Sequence, residues 1–334
     1  MFEKIKAIRK RYHEKLSWLI RSTGRFSDIF PIAVFLSLVI TVFSSSVSYF
    51  IMKVTPLGSL LDLISGGDGN LREFLWNYTV FFGIWIIVLI VMLKRSNRPM
   101  FSLLFPGKGQ AFRHFCVGTL LGFGSNAFCV LMSVLLDDIK LTYSGFKPVI
   151  IIAFMIAVFI QSGAEELTDR MYLYSKLRRR YVSPLVAVVL NSGAFAAMHA
   201  LNPGFTLTAC LEILVTALLF SAFVYWYDGL WIAMAFHAAW NFTQSIFFGL
   251  PNSGIVSSYS VFKLDAASAE NGFFYNVGFG VEGSIGSLLV NIAIMAAVII
   301  INLRKPEKKD IWKPFESPVL AASTAEKLPE KHDE

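Results

Sequence analysis

Phe30-Pro-Ile-Ala-Val-Phe-Leu-Ser-Leu-Val-Ile-Thr-Val-Phe-Ser-Ser-Ser-Val-Ser-Tyr-Phe-Ile-Met52 is a run of 23 residues without a charge. A helix rises about 1.5 Å per residue and a bilayer's hydrocarbon core is about 30 Å thick, so about 20 such residues cross it. Three further runs qualify in the same way: Phe74 to Leu93, Phe115 to Leu136 and Ser284 to Leu303. The stretch between the last two is as apolar but carries a few ionisable residues. It divides into Pro148 to Arg180, Ser183 to Ala200, Phe205 to Tyr227 and Gly229 to Leu250. The expected fold class is therefore all-α: a polytopic helical membrane protein of about eight transmembrane helices. Composition agrees, because 55% of the 334 residues are hydrophobic and 16% are charged, against roughly 25% charged in a soluble domain.

The first run is not read as a signal peptide. It follows 29 residues, is long, and has no small-residue cleavage site behind it. Orientation follows from the basic residues, which are retained in the cytoplasm when they flank membrane helices. With both termini inside, 24 of the 30 Lys and Arg fall in cytoplasmic segments: eight before the first helix, five in Lys94 to His114, four in Lys176 to Arg180 and seven in the tail. Five fall outside, and Arg170 lies within a span. The net charge of +7 is accounted for by this asymmetry and by anionic headgroups, and nothing recommends nucleic acid as a partner. The expected location is the plasma membrane of a bacterium.

Residues 1–29 form a basic segment whose Phe2 to Arg25 portion alternates basic with apolar residues, as in an amphipathic helix on the inner leaflet. Residues 30–147 hold the first three helices, 148–250 the next four and 284–303 the last. The tail, 304–334, reads as disordered. The loop at 251–283, rich in Gly, Ser and Asn, is expected outside and exposed, a re-entrant loop being the alternative. Cys116, Cys129 and Cys210 read as apolar packing residues.

Ionisable residues at bilayer depth are costly and mark functional cavities. Here they are Glu165, Glu166, Asp169 and Arg170 on the fourth span, His199 on the fifth, Glu212 on the sixth and His237 on the seventh, with Asn241 as a polar amide. Glu166 and Arg170, Phe195 and His199, and His237 and Asn241 are each four apart, so three helices each present one polar face. Glu165 and His199 each lie 17 residues from Val182 in the tight turn between spans four and five, which puts both about 25 Å from that turn. His237 and Asn241 are nine and thirteen residues past Asp228, about 14 and 20 Å deep by the same rise.

A carboxylate, two imidazoles and an amide converging in this way can bind and activate water. Glu165 is a candidate general base, and His199, His237 and Asn241 can hold a carbonyl and its oxyanion. The same groups, His199 and His237 above all, could instead ligate a divalent metal such as zinc. Interhelical hydrogen bonding is the plain alternative for a lone His or Asn. Glu166 and Arg170 are assigned a structural ion pair. Glu212 stands apart, about a turn and a half inside the outer edge of the sixth span, and receives no catalytic role, and Asp169 is expected to be solvated.

Written as motifs, the faces are Glu165-Glu166-x-x-x-Arg170, Phe195-x-x-x-His199 and His237-x-x-x-Asn241. In this order they resemble the CPBP family, the CaaX proteases and bacteriocin-processing enzymes also called Abi proteins, over roughly Pro148 to Leu250. The resemblance implies an intramembrane endopeptidase with a cavity open to the cytoplasm. In it the residue matching Glu165 activates water, while His199, His237 and Asn241 position that water and stabilise the oxyanion. It also implies a membrane-associated peptide or protein as substrate. Metal-dependent and glutamate-dependent mechanisms both stay open. Bacterial members often carry an aromatic residue and a glycine around the motif arginine, where this chain has Asp169 and Met171. Other classes compatible with the same residues are a non-proteolytic scaffold or regulator, a transporter, and a bis-histidine haem protein.

Overall fold

The computed structural model describes residues 19–21, 25–93 and 101–305. The expected amphipathic helix lies mostly outside these residues, and so does nearly all of the C-terminal tail. The architecture is all-α. Helices α1 (Phe30–Val54), α2 (Leu57–Ser65), α3 (Gly69–Thr79) and α4 (Phe82–Leu93) are followed by α5 (Gln110–Leu135). Next come α6 (Pro148–Glu166), a π-helical segment at Leu167–Leu173 and α7 (Tyr174–Arg180), which form one long path. Then follow α8 (Pro184–Met198), α9 (Leu207–Tyr227), α10 (Trp231–Phe242) and α11 (Ile285–Leu303). Among the described residues seven helical paths are long and apolar enough to span a membrane.

The seventh expected span, Gly229 to Leu250, is shorter than the sequence suggested. It comprises the 12 residues of α10 and a five-residue π-helical segment, Thr243–Phe247. A short helix can occupy this place because it is covered on all sides, with Ile232 to Ala238 buried without interruption. A helix apolar all round belongs in an interior. Against it lies α5, whose Gly118 and Gly122 let the two backbones meet. A Cβ at Gly118 would stand 2.4 Å from the Ile232 carbonyl oxygen, and one at Gly122 2.2 Å from that of Phe236. Small residues four apart give membrane helices this close approach, where packing rather than water exclusion drives association.

Both π-helical segments lose regular α-helical bonds at their starts, which in a membrane interior must be replaced. Thr168 Oγ1 donates to the Ala164 carbonyl at 3.0 Å and Thr243 Oγ1 to the Ala239 carbonyl at 2.7 Å. One segment follows Glu165 and Glu166 directly and the other begins two residues after Asn241. Such π segments recur at functional sites.

At the turn between α7 and α8, the basic run is folded inward. Lys176, Arg178 and Arg179 are buried. Asp28, in a 3₁₀ turn at Phe26–Asp28 ahead of α1, accepts from Arg179 Nε at 2.6 Å and pairs with Lys176 at 3.3 Å. Burial alone would raise the Asp28 carboxyl, but the hydrogen bond and charge of Arg179, aided by Lys176, hold it below the ordinary carboxylate value. Arg21 N–H donates to the Arg180 carbonyl and Val182 N–H to that of Leu19, so residues 19–21 pair with the turn as a short extended bridge.

The loop at 251–283 is not the wholly exposed segment expected. Strand β2 (Phe262–Leu264) pairs antiparallel with β1 (Leu141–Tyr143), Leu264 opposite Leu141, and Tyr275, Phe279, Val281 and Glu282 are buried. Tyr275 and Val281 join a core cluster with Phe220 and Phe223 of α9 and Phe236 and Trp240 of α10, and Phe279 joins one with Ile213 and Ala217 of α9.

Candidate active site

A cavity of about 480 Å³ opens among α6, α8, α9 and α10, and Glu165, His199, His237 and Asn241 all line it. The three motif faces therefore converge. Adjacent glutamates at the end of α6 have different surroundings. Glu166 is fully buried and pairs with Arg170, Nη1 to Oε1 at 3.2 Å, with both side chains at 0% exposure. The Glu165 side chain keeps 21% exposure and faces the cavity. Its Oε1 accepts from Gln161 Nε2, one helical turn back. Its Oε2 has no hydrogen-bond partner among the described residues.

His237 joins the two carboxylates. Its Nδ1 is 3.0 Å from Glu166 Oε1, and its Nε2 is 3.8 Å from Glu165 Oε2. An ionised carboxylate only accepts, so Nδ1 carries the hydrogen and Nε2 turns towards Glu165. The 3.8 Å gap is too long for a direct hydrogen bond and short enough for one water to touch both atoms. Arg170, Glu166 and His237 thus form a chain of charge-assisted contacts that fixes the imidazole.

Phe195 explains the aromatic member of the second motif. Its ring lies 4.3 Å from the Arg170 guanidinium carbon, 4.5 Å from the His199 ring and 6.3 Å from that of His237. Phe220 covers Arg170 from another side at 5.5 Å. The guanidinium, which also donates to the Ala217 carbonyl at 3.3 Å, is held between aromatic faces, a favourable setting for a desolvated cation. His199 stands in a 3₁₀ turn at the end of α8, its Nδ1 hydrogen-bonded to the Phe195 carbonyl at 2.9 Å. Asn241 Nδ2 donates to Ser162 Oγ at 3.2 Å and to Gln161 Oε1 at 3.4 Å.

Two expectations need correction. Asp169 is not solvated: it is 2% exposed, lines the cavity wall, and its backbone carbonyl accepts from Asn191. Its helix is sealed by α8 at this level. Glu212 does not stand apart, because it too lines the cavity. Its Oε1 accepts from Thr216, Ser287 and Asn291 at 3.2, 2.9 and 2.8 Å, tying α9 to α11. The sequence reading missed Gln161, Ser162, Trp240 and Glu282. Gln161 carried a usable signal, being four residues before Glu165 on one helix face. Glu282 carried none, since it reaches the cavity through the fold of its loop.

Among the described residues no group of three His, Cys, Asp or Glu side chains is placed to hold a metal ion. Both imidazoles have Nδ1 engaged, by Glu166 and by the Phe195 carbonyl, and the two His alone are fewer ligands than the three protein groups a catalytic zinc takes. Residues 147–243 match the family model described as type II CAAX prenyl endopeptidase, Rce1-like. No curated protein and no solved structure matches the chain.

Proposed function

We propose, from the match of residues 147–243 to the type II CAAX prenyl endopeptidase model, that this integral membrane protein hydrolyses a peptide bond of a membrane-associated peptide or protein, with Glu165 as general base. One observation carries the mechanism. The Oε2 of Glu165, buried and without a hydrogen-bond partner among the described residues, lies 3.8 Å from an imidazole nitrogen whose ring is locked by Glu166 and Arg170. Water held between these atoms gives a proton to Glu165 as its oxygen attacks the carbonyl carbon. The carbonyl oxygen becomes an oxyanion, and the Asn241 amide, whose resting hydrogen bonds are long, turns its N–H towards it. The C–N bond then breaks, and the leaving amine takes the proton from Glu165. A carboxylic acid and an amine remain, which exchange a proton to leave as carboxylate and ammonium, and Glu165 is again ionised. His199 borders the same space and positions the substrate carbonyl. No step needs a metal held by His199 and His237.

The test is cleavage of a membrane peptide by purified protein. Glu165→Gln keeps shape and removes the base, which lowers the rate by roughly 10²–10⁴-fold, with an unchanged melting temperature. Wild-type cleavage by that variant would refute Glu165 as the base, whereas a wild-type protein that cuts no membrane peptide would favour a scaffold. A chelator leaves activity intact on this mechanism. Loss that zinc restores would transfer the water to a metal.

A further inference from the structure

Residues beyond Leu250 lie outside the matched segment, yet they reach the site. Asn252 and Ile255 exchange backbone hydrogen bonds of 2.9 Å across a turn whose central residues are both left-handed, Ser253 at φ +46° and Gly254 at φ +83°. The turn is anchored on several sides. Gln244 Nε2 donates to the Pro251 carbonyl at 2.6 Å. The N–H and Oγ of Ser253 donate to Glu282 Oε2 at 2.8 and 2.7 Å, and Trp240 Nε1 donates to Glu282 Oε1 at 3.1 Å. Gly254 lies so close to the turn after His199 that a Cβ there would stand 2.1 Å from the Pro203 carbonyl oxygen. Held in this way, Asn252 directs Nδ2 at Asn241 Oδ1, 3.2 Å away.

The contact begins a chain. Asn252 Nδ2 donates to Asn241 Oδ1, Asn241 Nδ2 donates to Gln161 Oε1 and Gln161 Nε2 donates to Glu165 Oε1. Asn252 starts the chain as donor, Asn241 and Gln161 each accept through oxygen and donate through nitrogen, and Ser162 Oγ also donates to Gln161 Oε1 at 3.1 Å. A primary amide can turn over with little change of shape, so its direction is set by its neighbours. We propose that Asn252 is a positioning residue for the hydrolysis assigned above, on which this inference rests: it fixes the direction of the chain. Asn241 then keeps its N–H groups on the cavity side, and Gln161 presents N–H rather than C=O to Glu165. If Asn241 turned over, Gln161 would have to turn as well, and a carbonyl oxygen would face the carboxylate that receives the proton.

The same cleavage assay tests it. Asn252→Ala lowers kcat by roughly 10-fold and Asn252→Asp, of equal size but unable to donate, by roughly 100-fold, the range seen when partners that orient reacting groups are lost. KM and melting temperature stay at wild-type values. Asn252→His, which retains an N–H donor, recovers activity relative to Asn252→Ala, and this pair decides the matter if Asn252→Asp accumulates poorly. In a Gln161→Ala background Asn252→Asp costs less than it does alone, because the part of its effect that runs through Gln161 is already lost. Wild-type kcat for Asn252→Asp, or equal activity of the His and Ala variants, overturns the positioning role. Glu165→Gln runs in parallel. If it is inactive while Asn252→Asp is unimpaired, only the positioning role falls; if it cleaves normally, both readings fall.

Discussion

Replacing Arg170 by Ala removes the most enclosed cation near the site. Its guanidinium is fully buried, bonded to Glu166 at 3.2 Å and to the Ala217 carbonyl at 3.3 Å, and covered by Phe195 and Phe220. The variant leaves Glu166 buried with His237 as its remaining partner. Removing one member of a buried pair costs about 3–5 kcal/mol, and the lost aromatic contacts add about 1 kcal/mol. With a shift of roughly 2–4 °C per kcal/mol for chains of moderate size, the melting temperature in detergent falls by on the order of 10 °C. Arg170→Lys falls between, since an ammonium keeps the charge but not the planar fork that reaches both Glu166 and Ala217. Arg170→Met combined with Glu166→Gln melts above Arg170→Met alone, because no unpaired carboxylate remains. Thermal unfolding followed by intrinsic fluorescence reads all four. An Arg170→Ala protein with wild-type yield and melting temperature would refute the reasoning, showing that water reaches the pair.

Three further outcomes are expected. Asp28→Asn removes the carboxylate charge that Arg179 and Lys176 share and lowers the melting temperature. Because the Asp28 carboxyl is held below its ordinary value, its contribution is fully present above pH ~4 and lost as pH falls further; a gap between variant and wild type that closes between pH 5 and 8 would contradict this. Gly122→Leu forces α5 off α10 and reduces both yield and cleavage, whereas Gly124→Leu, with open space at its Cβ position, is neutral; equal behaviour of the two refutes the contact. With both termini cytoplasmic, a cysteine replacing the exposed Ala267 reacts with an impermeant maleimide in intact cells, and resistance to the reagent there would reverse the topology.

What could be read from the sequence was what lies within single helices. The pairs Glu166 with Arg170, Phe195 with His199 and His237 with Asn241 follow from helical spacing, and each shares a face in the structure. Matching depths for Glu165 and His199 followed from an antiparallel hairpin with a short turn. Contacts between distant segments left no such trace. Glu212 bonds to Ser287 and Asn291, 75 and 79 residues away, and no local pattern pairs them. The same holds for Asn252 on Asn241, which needs a left-handed turn in a loop of polar composition. The seventh predicted span was overlong because hydropathy registers apolar character, which a buried interior helix shares with a membrane span. The π segments were invisible for another reason: π-winding changes hydrogen bonding without changing residue type.

The placement of Glu166 and Arg170 on one helix, rather than across two, bears on how the chain enters the bilayer. Phe195, Ala217 and Phe220, which later enclose the guanidinium, are synthesised 25 to 50 residues after it. Until they arrive, α6 must reside in or beside the translocation machinery with its charges uncovered, and each ionised side chain near a helix centre opposes insertion by about 2.5–3.5 kcal/mol. A partner four residues away on the same helix is present as soon as that turn has wound, so the two opposite charges cancel before any later helix has been made. The bond that orders the finished site therefore also makes its central helix insertable, and a variant lacking Arg170 is handicapped at biogenesis before it is handicapped in folding.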